Sequence, residues 1–145
     1  MSAARDEGGP VRFAGYAAIF DKMDQGGDVI AAGAFAASLA RRGREGLPLL
    51  WQHHADQPIG RISAVSEDAR GLRVIGEIGG AGALGTAAQR AAAMLREGRI
   101  DGLSFGYRVV AAQGERPRRL EALDLVEVSL VTHPMQVLAR VHAVE

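Results

Sequence analysis

Leu123-Asp-Leu-Val-Glu-Val-Ser-Leu-Val-Thr132 is the stretch on which the reading of this chain turns. It is rich in Val and Leu, lacks Gly and Pro, and has the composition of a strand. Alternation puts Val126, Val128 and Leu130 on one face and Leu125, Glu127 and Ser129 on the other. A carboxylate at Glu127, inside so apolar a segment, must find a partner or be costly to bury. Just upstream, Ile100 to Val110 reads as a second strand region. Leu103, Phe105, Tyr107 and Val109 point one way, and Ser104, Gly106 and Arg108 the other. Gly114 to Arg119 then reads as the connecting loop.

The pattern continues toward the N-terminus. Gly71 to Ile78 alternates cleanly, with Leu72, Val74 and Ile78 opposite Arg73, Ile75 and Glu77. Pro58 is expected to start a segment that offers Ile59, Ile62 and Val65 to the core. Leu47 to His53 reads as a buried strand. Val11 to Phe20 reads as a first strand region broken by Gly15, followed by a polar turn from Asp21 to Gly27. Two helices are expected. One spans Ala34 to Arg42, with Phe35 and Leu39 on one face and Gly43 as C-terminal cap. The other runs from Leu84 to Glu97, with Leu84, Ala88, Ala91 and Leu95 on one face. Strands and helices without regular alternation argue an α+β fold built on a sheet or partly closed barrel.

The whole chain has 145 residues, the size of one domain. Residues 1–10 are expected to be a flexible N-terminus, and 11–145 a single domain. No apolar run approaches the roughly 18 residues of a membrane helix, and no secretory leader is visible. The 17 basic and 17 acidic residues cancel, which argues against nucleic acid as a partner. The basic cluster Arg116, Arg118 and Arg119 is read as a solvated loop. Cysteine is absent, which excludes disulfides, cysteine catalysis and thiolate metal sites. No metal site and no cofactor are expected. His53, His54 and Asp56 lack chelating spacing, since neighbours on an extended segment point to opposite faces. The glycine-rich Gly79 to Gly85 matches the Gly-x-Gly-x-x-Gly string of dinucleotide sites from Gly80 but lacks its strand–helix–strand context, so it reads as a small-residue connection.

His53, Ser104 and Glu127 are each polar in an apolar setting. If they meet, they make a base, a nucleophile and an orienter. The residues alone favour ordinary roles instead: backbone bonding for Ser104, an arginine partner for Glu127, a loop cap for His53.

A resemblance extends this reading. Gly15-Tyr-Ala-Ala-Ile-Phe20, Gly27-Asp-Val-Ile30 with Gly33-Ala-Phe35, His53 with Pro58-Ile-Gly60, Gly71-Leu72, Gly102-Leu-Ser-Phe-Gly106, and Glu127-Val-Ser-Leu-Val-Thr132 with Pro134 occur in that order. The ordered set, from about Val11 to Val141, resembles the HK97-type phage prohead proteases, relatives of the herpesvirus assemblin-type enzymes. The resemblance implies a compact, mixed, mostly antiparallel β-barrel flanked by helices. It implies a serine endopeptidase of capsid maturation, with His53 as general base, Ser104 as nucleophile and Glu127 as orienter. His133 is the rival third member, because the herpesvirus relatives use a second histidine there. His54 stands where the family commonly has an aspartate, and spacing back from Pro58 favours His53 over it. Backbone N–H groups near Gly106, or Arg108 through water, are expected at the oxyanion.

The implied substrates are scaffold protein, or the scaffold-like N-terminal region of the major capsid protein, and then the protease itself. The implied place is the assembling procapsid in the bacterial host cytoplasm, for a phage, a prophage or a phage-derived particle such as a gene transfer agent. A homodimer is expected by analogy, and a membrane is not. The alternative is a catalytically inactive relative kept as an assembly or scaffolding factor.

Overall fold

The computed structural model describes residues 10–42, 47–79 and 85–145. The expected N-terminal segment at 1–9, the Gly43 cap, the Leu84 helix start and positions 80–84 of the glycine-rich connection lie outside them. The strands are β1 (Val11–Ile19), β2 (Asp28–Ile30), β3 (Leu47–Trp51), β4 (His54–Glu67), β5 (Gly71–Ile78), β6 (Gly102–Gln113), β7 (Arg118–Val131) and β8 (Val141–Val144). The helices are α1 (Ala36–Arg42) and α2 (Gly85–Arg96). Neither helix is long and apolar enough to cross a membrane.

One sheet carries all eight strands, in the order β2-β7-β3-β4-β5-β1-β8, with β6 on the other edge of β7. Most pairs are antiparallel; β2 and β3 run parallel to β7. The sheet curls until its ends meet at residues 139–141. Tyr16 N–H donates to Arg140 O at 3.1 Å, while Leu103 N–H donates to Ala139 O at 2.9 Å and Val141 N–H to Asp101 O at 2.8 Å. This segment stitches β1 to β6, as the expected mixed barrel requires. Inside lie Phe35, Leu49, Ile62, Leu72, Leu103 and Leu125, all at most 2% exposed. Burying each is worth about 1.5–3 kcal/mol. The helices cover the barrel: α2 contributes Ala88, Ala91, Ala92 and Leu95, and α1 contributes Ser38, whose hydroxyl accepts from Leu125 N–H at 3.0 Å.

Several expectations change. Gly15 does not break β1. It sits where Arg140 O would lie 2.4 Å from any Cβ, so the close approach of the closing segment demands glycine. β3 ends at Trp51, and β4 begins at His54 rather than Pro58, so His53 lies in a turn and not in a strand. The alternation of β7 fails at Val126. Gly106 pairs with Glu127 but Tyr107 pairs with Leu125, so Val126 is an extra residue, a β-bulge. Leu125 therefore joins Val128 on the buried face, while Val126 is 43% exposed. Helix α1 starts two residues later than expected. The short strands β2 and β8 carry no signal of their own. Arg118 is more than a solvated loop cation: it holds Asp28 with two hydrogen bonds of 3.0 and 2.9 Å.

Candidate active site

The β6–β7 hairpin brings the chosen residues onto one face. Ser104 pairs with Ser129, and Gly106 with Glu127, so all four share the side of the hairpin opposite Phe105 and Val128. The bulge at Val126 ends this register, leaving Glu127 as the last polar residue of the patch. Ser129 is fully buried, and Ser104 and Glu127 nearly so.

His53 arrives from the neighbouring hairpin. Leu49 to Trp51 runs parallel to Val128 to Leu130. The chain then reverses through Gln52 and His53, and His54 pairs back with Trp51. Both turn residues are left-handed, with φ of 51° and 65°. That is the φ pattern of a two-residue hairpin turn usually built from Asn and Gly. Neither residue here is glycine, so the conformation is imposed by anchors on β7 and on Thr132, the residue after it. Gln52 N–H donates to Leu130 O at 3.0 Å. The Gln52 amide donates to Thr132 Oγ1 at 2.6 Å and accepts from Thr132 N–H at 3.1 Å. His53 N–H donates to Ser129 Oγ at 3.1 Å.

The same anchoring aims the ring. His53 Nδ1 lies 2.6 Å from Glu127 Oε2. Glu127 Oε1 in turn accepts from Ser129 Oγ at 2.7 Å. An ionised carboxylate only accepts, so Nδ1 carries the proton and Nε2 is left as a lone-pair acceptor. The Glu127 hydrogen bond raises the His53 pKa above its ordinary value, and the carboxylate's charge adds to this against the opposing effect of partial burial. His53 and Ser104 line one cavity of about 150 Å³, with Leu103, Phe105, Ile30 and Leu120 as apolar wall and Tyr107, Asp24 and Asp28 beyond. Burial, and then Asp28 and Asp24, push the Tyr107 phenol pKa up. Among the described residues no side-chain hydrogen bond ties down the Ser104 hydroxyl, so it faces the cavity uncommitted.

His53 is thus bonded to Glu127 and shares a cavity with Ser104. His133 is exposed and absent from the cavity wall, and His54 is exposed at the start of β4. Gly106 backs directly onto Glu127, whose Oε2 would lie 2.5 Å from a Cβ there. Arg108 lines a separate hollow with Arg41, Arg42 and Asp124. Among the described residues no three His, Asp or Glu side chains converge as a metal would require. Two contributors escaped the sequence reading. Ser129 had a visible signal, its i+2 spacing from Glu127 on a strand; Gln52 had none.

Known proteins resemble this chain in sequence and in fold. Residues 2–145 match the family model described as caudovirus prohead serine protease. The prohead protease of Enterobacteria phage HK97 is 32% identical over 129 residues, covering 84% of this chain and 55% of that protein. The chain therefore spans about half the length of the curated relative it matches. Among solved structures, a Kaposi's sarcoma-associated herpesvirus protease in complex with a hexapeptide phosphonate inhibitor superposes with a TM-score of 0.62 at 12% identity, over 94% of this chain and 65% of that one. Varicella-zoster virus protease gives 0.58 at 17% identity, over 94% and 64%. At such identities the likeness is one of fold.

Proposed function

The chain belongs to the caudovirus prohead serine proteases, and from that premise we propose that it is a serine endopeptidase of capsid maturation whose catalytic group is Ser104, His53 and Glu127. Its substrates in this reading are the scaffold, or the scaffold-like N-terminal region of the major capsid protein, and then the protease itself. It acts inside the assembling procapsid in the host cytoplasm. The observation that carries the proposal is the 2.6 Å contact of His53 Nδ1 with the Glu127 carboxylate, on the cavity that Ser104 also lines.

The chemistry follows from those groups. Ser104 Oγ attacks the scissile carbonyl carbon as His53 Nε2 takes the hydroxyl proton. Glu127 keeps Nδ1–H in place and stabilises the imidazolium that forms. The tetrahedral oxyanion collapses, the C–N bond breaks, and the amine leaves with the proton from Nε2. An acyl ester on Ser104 remains. Water then attacks it, giving its proton to His53, and the carboxylic product departs as Oγ recovers a proton. Backbone N–H groups near Gly106 are assigned to the oxyanion, where one donor typically contributes about 2.7–4 kcal/mol. Arg108 is left out because it lines another hollow. The contact geometry favours Glu127 over the exposed His133.

The test is co-expression with the capsid and scaffold proteins, comparing the native chain with Ser104→Ala and reading all product termini by mass spectrometry. Defined cleavage, lost in Ser104→Ala, is the expected outcome. Identical products from both, with assembly intact, would assign the chain to the non-catalytic assembly role instead.

A further inference from the structure

Beside the catalytic cavity runs a second groove of about 240 Å³, between the β1–β2 and β7–β8 connections. Asp24, Met135 and Gln136 line both hollows, so the two adjoin. Its rim carries four large apolar side chains in the open: Met23 at 57%, Met135 at 50%, Val137 at 59% and Leu138 at 48% exposure. Soluble proteins seldom leave such side chains clustered unless something covers them.

The groove is also rigidly built. The buried Gln136 side chain clamps the Ile19 backbone, accepting from its N–H at 2.9 Å and donating to its carbonyl at 2.8 Å. Gln25 N–H donates to Met135 O at 3.2 Å. Two loops that would otherwise move independently are thereby locked together. A pre-formed apolar site binds without first losing loop entropy.

We propose that this groove is a substrate subsite, taking a large apolar side chain of the polypeptide a few residues along from the bond cut at Ser104. The proposal rests on the proteolytic reading above. The occupant follows from adjacency: a chain seated with its scissile bond at Ser104 must leave the cavity across its rim, and the exposed Met135 lines both cavity and groove. An extended chain advances about 3.3 Å per residue, so the adjoining groove lies within reach of a near neighbour of the scissile bond.

The experiment uses synthetic peptides spanning the cleavage site mapped by mass spectrometry. Each flanking residue is replaced in turn by serine, and kcat/KM is measured with the native chain and with the double variant Val137→Ser, Leu138→Ser. The native chain is expected to lose about tenfold when one flanking apolar residue becomes serine. In the double variant that ratio collapses toward one, which isolates the coupling of groove and side chain. Cleavage with the ratio preserved in the variant, or no flanking apolar residue that matters, overturns the groove alone. A preserved ratio with a shift from dimer to monomer in sedimentation would assign the patch to contact between two copies. No cleavage of any peptide by the native chain would overturn the proteolytic reading, and this one with it.

Discussion

Replacing Ser129 with alanine tests whether a residue that touches no substrate sets the rate. Its hydroxyl makes two bonds at once: it donates to Glu127 Oε1 at 2.7 Å and accepts from His53 N–H at 3.1 Å. The first goes to an ionised carboxylate whose side chain is 11% exposed, and such bonds contribute about 1.5–3 kcal/mol. The second is an ordinary neutral bond of about 1 kcal/mol. Ser129 is fully buried, so water does not easily replace either. The expected loss is roughly 2–4 kcal/mol, a large part of a typical folding free energy of about 5–15 kcal/mol. For a chain of this length that lowers Tm by roughly 5–15 °C. Without the hydroxyl, the turn and the carboxylate lose their common tether and the imidazole drifts. A misplacement of about 1 Å costs as much as 100-fold, so kcat should fall about 10- to 100-fold with KM within about twofold. Peptide kinetics at a temperature where the variant is folded, with calorimetry alongside, read both. A kcat within twofold of native would refute the reasoning, and would mean that Glu127 alone orients His53.

Four further outcomes follow from the same geometry. Glu127→Gln keeps the size of the side chain but no longer enforces Nδ1–H, so kcat should fall about 10³- to 10⁴-fold; a loss below tenfold would turn attention to His133. With His53 as the proposed base, turnover requires its neutral ring, whose pKa the Glu127 hydrogen bond raises, so kcat/KM should fall with acidification around a midpoint above about 6.5. By linkage, the stability this contact gives the protonated ring is complete below about pH 6.5 and lost as pH rises through the raised pKa. The Tm difference between Ser104→Ala and Ser104→Ala, His53→Gln should shrink across that window, and a difference that widens there would contradict the assignment. Gly106→Ala places a methyl 2.5 Å from Glu127 Oε2 and 2.9 Å from its Cγ, so the carboxylate must leave His53. Kinetics should show a loss of about 100-fold, with circular dichroism reporting a folded chain; native kcat would show that Glu127 can yield without consequence.

Much of the barrel was legible because its strands carry period-2 patterns long enough to read. β5 is the clearest case: Leu72, Val74 and Ile78 are fully buried, as their alternation requires. Pattern reading failed where one residue changes the parity. Nothing in Leu125-Val126-Glu127 announces a bulge, because the extra residue is fixed by how β6 and β7 meet in space. It failed likewise at Trp51-Gln52-His53-His54, where the usual Asn and Gly of a tight turn are missing and the reversal is enforced from β7. β2 and β8, of three and four residues, are strands only because β7 and β1 template them. At the site, His53, Ser104 and Glu127 were each visible as polar residues in apolar surroundings. Chemistry alone did not select them from other such combinations; the ordered set of short segments did. Ser129 carried a cue in its i+2 spacing from Glu127, but its role as a tether between two hairpins shows only in three dimensions.

The left-handed turn at Gln52 and His53 has a consequence for anyone who would stabilise this protein. Each non-glycine residue held at positive φ costs on the order of 1–3 kcal/mol. A design procedure that scored local backbone preference would therefore replace the pair with Asn-Gly. It would delete the imidazole in doing so. At this corner local backbone preference and the proposed base call for different sequences, so thermostabilised forms are better sought in α2 and the β4–β5 hairpin, away from the turn.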